Sequence, residues 1–306
     1  MDWELKRFSV GVFGLKFVFE PQPRQPIYDG AEKSWIDKIN RLFPQHFRTY
    51  QVLHAPPSLR SLGRIGAKEN PNVPWLSSNG EVVLDDPFAV IDDEQVKLLG
   101  DTPLSLSYKF GYYSEIQPKR NSGEKPHGIT ANILAVLPND RKLVLQRRSG
   151  DSDLFPFQKS IFGGGFMPGG LKGRYEDHDN IKLTAIREFH EETGFSFSIR
   201  QKSMDCCPII VTQELDTGNI QINFLGVQVD QLLEIKGSSW EGTVFFIPSD
   251  SLEKELKFNN WPNWTRLGLI SIITWLHLNA PGFPKGTKFG KYKPQQLAMS
   301  ISDLGA

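Results

Sequence analysis

Apolar residues alternate with polar ones in some parts of the chain and recur at helical spacing in others, and the switches between these periods outline its elements. From Phe8 to Phe19, the side chains of Phe13, Leu15, Phe17 and Phe19 fall on one side of an extended backbone, which predicts a long strand ended by Pro21-Gln22-Pro23. Trp35, Ile36, Ile39 and Leu42 then repeat as on a helix over Ala31 to Leu42. Ala55 to Asp86 is rich in Pro, Gly, Ser and Asn, has no clear period and reads as loops. Asp92 to Leu99 reads as a short helix and Pro103 to Tyr113 as a strand. The polar run from Gln117 to Lys125, with its turn-forming residues, marks a domain boundary.

The pattern changes after Gly128. Ile129 to Leu137 is an apolar strand, Pro138-Asn139-Asp140 a turn, and Lys142 to Gln146 a second strand. Further strands are expected at Ser160-Ile161-Phe162, Phe195 to Ile199, Pro208 to Gln213, Ile220 to Val229 and Thr243 to Ile247, with a turn at Asp216-Thr217-Gly218-Asn219. Pro248-Ser249-Asp250-Ser251 introduces a short helix carrying Leu252 and Leu256, and Leu267 to Leu278 reads as a closing buried helix. The Gly, Pro and Lys residues after Pro281 predict an irregular tail. Three regions follow: an N-terminal α+β domain or extension over 1–122, an α/β domain over 123–282 and a tail over 283–306.

One helix concentrates chemistry. Over Ile181 to Thr193, at about 100° per residue, Glu188, Glu191 and Glu192 share a face with Thr184. Leu183, Ile186 and Phe189 are expected to pack on the sheet, and Gly194 supplies a left-handed helix end. Three carboxylates near a helix C-terminus repel one another and oppose the macrodipole, so a bound cation would relieve them. Oxygen-only donors suit Mg²⁺ or Mn²⁺ rather than zinc. The bland alternative is a solvated Glu-rich face.

The 35 basic residues balance 35 acidic ones, which argues against a broad electrostatic surface for nucleic acid. The two cysteines, Cys206 and Cys207, are adjacent and ill placed to staple distant segments, so a reducing cytoplasm is the simpler expectation. The first residues carry Asp2, Glu4, Lys6 and Arg7 with no long apolar core after them, and Leu267 to Leu278 is too short and too interrupted to span a bilayer; no membrane association is expected.

Arg187-Glu188-Phe189-His190-Glu191-Glu192-Thr193-Gly194-Phe195 resembles the second half of the Nudix box, with every specified position filled. Upstream the box has a Gly, five residues, an acid and seven more before the Arg. Gly173 with Asp179 keeps that spacing but has Asp for Glu. Pro168-Gly169-Gly170 with Glu176 keeps the Glu but leaves ten residues before Arg187, and Gly163-Gly164-Gly165 needs a longer insertion still. All three registers stay open.

The resemblance implies a Nudix α/β/α sandwich with a mixed sheet and hydrolysis of a diphosphate linkage in a nucleoside diphosphate-linked small molecule. It implies metal held by Glu188, Glu191 and Glu192, with Arg187 bracing the site. Gly164, in a run where no Cβ hinders close approach, is a main-chain candidate for the metal. Arg147 and Arg148, closing the second strand, are candidate phosphate donors. The general base has no fixed position in this family: Glu241 is favoured, with Glu214 and Glu234 behind it. His190 falls on the packed side and reads as structural. The N-terminal region carries no chemical motif; substrate selection, homodimer formation or plain structural extension all fit it. An isoprenoid diphosphate isomerase and a nucleotide-sensing module are the competing readings; Cys206-Cys207 suits the first poorly, and intact box carboxylates argue against the second.

Overall fold

The computed structural model describes residues 126–149, 156–166, 181–214, 218–235 and 242–301 with their side chains, and the backbone of residues 302–303 and of eight strands nearer the N-terminus. Those eight are β1 (Asp2–Ser9), β2 (Gly14–Pro21), β3 (Tyr50–His54), β4 (Ser58–Ser61), β5 (Val73–Leu76), β6 (Val82–Asp85), β7 (Pro87–Ile91) and β8 (Leu104–Tyr112). After them come β9 (His127–Leu137), β10 (Lys142–Arg148), β11 (Lys159–Ser160), β12 (Phe162–Gly165), α1 (Ile181–Thr193), β13 (Phe197–Ile199), α2 (Gln201–Cys206), β14 (Ile209–Glu214), β15 (Ile220–Gln231), β16 (Gly242–Pro248), α3 (Leu252–Glu255), α4 (Arg266–His277) and α5 (Pro294–Asp303).

β9 organises the sheet because both of its edges are occupied. On one edge it pairs in parallel with β15, Ile220 opposite Ile129 and Phe224 opposite Ile133. The other edge is shared along its length: β7 pairs at His127–Gly128, β12 at Thr130–Ile133 and β10 at Ala135–Leu137, all antiparallel. Beyond Val144, β10 leaves β9 and runs between β11 and β16. The strands before residue 122 join this same mixed sheet, β7 on β9 and β3 on β14, except β5 and β6, which pair with each other as a separate two-stranded sheet.

The two-residue alternation of β9 divides the core. Ile129, Ala131, Ile133, Ala135 and Leu137 join the cluster beneath α1, which includes Phe162, Phe189, Phe197 and Phe224. Leu134 and Val136 join the opposite cluster beneath α4 and α5, which includes Leu225, Ile270, Trp275, Phe289 and Leu297. With a helix layer on each face, this is the expected mixed-sheet α/β/α sandwich. α4 starts cleanly because Thr265 caps it, its side-chain oxygen accepting from the Gly268 N–H at 3.0 Å. No helix among the described residues is long and apolar enough to cross a membrane.

Several expectations need correction. The long strand over Phe8 to Phe19 is two antiparallel strands, β1 and β2, with Trp3 opposite Pro21. Alternation alone does not reveal a hairpin; the residues joining the two strands lie outside the described residues. The loop-like stretch Ala55 to Asp86 contains β4, β5 and β6, each four residues long and too short to show a period. The helices expected at Ala31 to Leu42 and Asp92 to Leu99 lie outside the described residues. α2 has no signal in the hydrophobic pattern: it is six residues long and buries only Met204.

The tail is not irregular throughout. α5 forms after Pro294, a residue suited to the first helical turn, and buries Leu297, Ala298 and Ile301 in the cluster under α4. Leu297, 1% exposed, should matter accordingly: Leu297→Ala is expected to cost about 2–5 kcal/mol in denaturant unfolding, the range for truncating a buried leucine.

Candidate active site

α1 has the predicted bounds, but it is buried on two sides rather than one. Ile181, Ala185 and Phe189, spaced four apart, form the stripe that meets the sheet, and the Phe189 ring meets Phe162 edge-on at 5.0 Å and tilts on Phe197 at 5.9 Å. Leu183, expected in this stripe, is instead 38% exposed, while Ile186 packs partly against the cluster. The axis of the buried stripe runs through Ile181 and Ala185, and Leu183 lies about 160° round the helix from Ala185. The helix ends as anticipated: Gly194 has φ 61°, its N–H donates to Glu191 O, and the Phe195 N–H donates to His190 O at 2.9 Å.

The second buried side is the acidic one. Glu188 and Glu192, 9% and 4% exposed, lie against β12, whose sequence is Phe-Gly-Gly-Gly. A Cβ at Gly164 would come within 2.5 Å of Glu188 Oε2 and 2.6 Å of Oε1, so the carboxylate lies where a side chain would otherwise stand. One residue earlier, the Gly163 N–H donates to Glu192 Oε2 at 2.9 Å. Among the described residues, the Gly163 to Gly165 run lies against the acidic face. The positions of the other two upstream registers, Gly173 with Asp179 and Gly169 with Glu176, lie outside the described residues.

Arg187 gathers the remaining charge. Its guanidinium donates to Glu188 Oε1 at 2.6 Å and to Glu191 Oε2 at 2.7 Å, and its side chain is only 10% exposed. One cation between two carboxylates offsets their mutual repulsion. Glu191 is the outermost of the three, with a side chain 41% exposed. Among the described residues, no group of three or more His, Cys, Asp or Glu side chains is gathered closely enough to hold a metal. Glu188 and Glu191 are drawn to Arg187, and Glu192 to the Gly163 amide. Donor chemistry nonetheless fits a hard divalent cation: the seam offers carboxylate oxygens and glycine main chain, and the Gly164 position is a cradle that a Cβ would fill.

Strand alternation separates the two arginines. Val144 belongs to the cluster under α1 and Leu145 to the one under α4. Arg148 therefore falls on the α1 face with Gln146, and Arg147 on the α4 face. Opposite Arg147 stands Lys159, ion-paired with Glu255 and set over the Phe245 and Trp264 rings at 5.8 and 5.3 Å. Glu241 lies outside the described residues, but its neighbour Gly242 pairs with Arg148. Glu214, the second candidate base, is 5% exposed and follows Ile210 and Thr212 onto the α4 face, away from α1. Glu234 is exposed in the segment after β15.

His190 is half-buried, its ring 5.3 Å from that of Phe195, and burial lowers its pKa below the usual histidine value. A neutral ring packed on an aromatic agrees with a structural role. Burial likewise pushes the Cys207 thiol up to about 12, while Cys206 is exposed. Sequence reasoning missed Asn132, whose signal was a lone amide inside the apolar run Ile129 to Leu137, and the Gly163 N–H.

No model of a known protein family matches the chain, and no curated protein matches its sequence. Solved structures that resemble it include Nudix hydrolases, at low identity. A bifunctional NMN adenylyltransferase/ADP ribose pyrophosphatase from Francisella tularensis, complexed with AMP and a Mn ion, is 17% identical with a TM-score of 0.37, and the match covers 53% of this chain and 44% of that one. A Nudix hydrolase from Nitrosomonas europaea is 16% identical with a TM-score of 0.34, over 49% of this chain and 88% of that one. A C. elegans Ap4A hydrolase is 16% identical with a TM-score of 0.31, over 47% and 91%. The chain thus spans less than half the length of the Francisella protein.

Proposed function

We propose that this chain hydrolyses a diphosphate linkage in a nucleoside diphosphate derivative at the seam between α1 and β12, with Mg²⁺ or Mn²⁺. The observation that carries this reading is the pair of buried carboxylates, Glu188 and Glu192, laid against the glycines of β12. A buried carboxylate pair is costly unless cations or donors satisfy it. The Nudix-box residues that fill this seam support the same reading.

Glu188, Glu191 and Glu192 would hold the cation, with main chain at Gly164 beside them. A bound cation would supply charge neutralisation on the diphosphate oxygens and a more acidic attacking water. Arg187 keeps Glu188 and Glu191 oriented and offsets their charge. Arg148, on the same face of the sheet, is the arginine we assign to a substrate phosphate through its paired donors. Glu241, preceding the residue that pairs with Arg148, is our candidate for taking the proton from the attacking water.

The test is an assay of the purified protein with ADP-ribose, dinucleotides and nucleotide sugars in Mg²⁺ or Mn²⁺. Release of nucleoside monophosphate is expected from at least one of them. No turnover across the panel, with tight nucleotide binding retained, would leave a nucleotide-sensing module as the correct reading.

A further inference from the structure

We propose that Asn132 is a positioning residue for Glu192, acting through the Gly163 peptide; the inference rests on the reading of α1 as a metal-binding helix. Asn132 is the one amide in the central strand β9 and is 5% exposed. A buried amide is unfavourable unless its polar atoms are bonded, and this one is held in place by such bonds. Its Nδ2 donates to Asn223 Oδ1 at 3.0 Å and to Thr130 Oγ1 at 3.3 Å. Asn223 is its partner in the parallel register with β15. Asn223 Nδ2 in turn donates to Thr212 Oγ1 and to Gln221 O, both at 3.2 Å. The Asn132 side chain is therefore fixed from β14 and β15.

Across the other edge of β9, Asn132 is in register with Gly163. Gly163 has φ 150°, a conformation that residues with a Cβ rarely adopt. A Cβ there would fall 2.6 Å from Asn132 Cα and run into Asn132 Oδ1 and Ala131 O. The Asn132 amide thus occupies the space that a side chain at position 163 would need, and it backs the peptide whose N–H holds Glu192 Oε2 at 2.9 Å. A continuous line runs from Asn223 through Asn132 and Gly163 to Glu192, crossing β15, β9, β12 and α1. A carboxylate with one oxygen fixed presents the other in a set direction, which is how groups behind a ligand tune metal affinity.

The test compares Asn132→Ala, Asn132→Ser, Glu192→Gln and the Asn132→Ala/Glu192→Gln pair with the wild type. Free Mn²⁺ is followed by electron paramagnetic resonance without substrate, and amide exchange at Gly163 is followed by NMR without metal. Both Asn132 variants are expected to raise the Mn²⁺ dissociation constant by about tenfold. Exchange at Gly163 should quicken while the α1 amides stay protected, and the loss of Mn²⁺ affinity should add little to that caused by Glu192→Gln. Asn132→Ser keeps a donor for Asn223 Oδ1, so it carries the test if the alanine variant does not fold. Wild-type Mn²⁺ affinity with unchanged Gly163 exchange in a folded variant, or a loss that adds in full to that of Glu192→Gln, overturns the inference. Equal Mn²⁺ binding by the wild type and Glu192→Gln would instead remove the metal-site reading beneath it.

Discussion

Under the proposed function, Glu192→Gln is expected to lower diphosphate turnover by about 10²–10³-fold, because a ligand of a catalytic cation supplies several kcal/mol of transition-state stabilisation. The substitution is nearly isosteric, and an amide oxygen can still accept from the Gly163 N–H. Circular dichroism and the unfolding midpoint should therefore change little while activity collapses. Glu192 is 4% exposed and meets β12 at that amide, so the comparison separates a chemical role from a packing role. Undiminished activity in Glu192→Gln would mean that the acidic face of α1 is not the reaction site.

Gly164→Ala probes the same seam from the strand. The φ at Gly164 is not in the left-handed region, so alanine brings no backbone strain of that kind; its methyl meets the Glu188 carboxylate instead. That carboxylate is the far end of a side chain and can move, but moving it disturbs its bond to Arg187 at 2.6 Å. Misplacing a catalytic group by about 1 Å costs about a hundredfold in rate, and a loss of that order is expected with stability held within about 1 kcal/mol. Gly163→Ala should behave differently. There the backbone needs φ 150° and the new atom meets the Ala131 carbonyl, so stability should fall by more than about 1 kcal/mol along with activity. The paired kinetics and denaturant curves of these two neighbours distinguish a position that shapes the site from one that shapes the strand.

These two glycines also show where the sequence stopped being legible. The ends of α1 could be read because helical spacing and Gly194 are local signals, and the central strand because its apolar run is interrupted only by Thr130 and Asn132. Alternation places Arg147 and Arg148 on opposite sides of their strand, but which side meets α1 depends on the packing of Val144 and Leu145 and was not legible. Likewise, the docking of β12 along the acidic side of α1 depends on the pairing of Gly163 with Asn132, a contact between distant segments that no local period encodes. The same limit explains Leu183: two faces of α1 find partners, and the wheel alone does not say which residues those partners reach. α5 was hidden for another reason. The Gly, Pro and Lys residues of 281–293 dominate the composition of the tail, and a ten-residue helix whose core contacts are Leu297, Ala298 and Ile301 hardly alters it.

The central claim, that the seam between β12 and α1 holds the divalent cation, is tested most directly by adding Mn²⁺ in small steps to protein labelled with ¹⁵N-glycine. The Gly163, Gly164 and Gly165 amides should broaden beyond detection first, well before Gly268, Gly282 and Gly290, and Glu192→Gln should weaken that selectivity. Broadening that begins at other glycines, or spreads evenly over all of them, would contradict it.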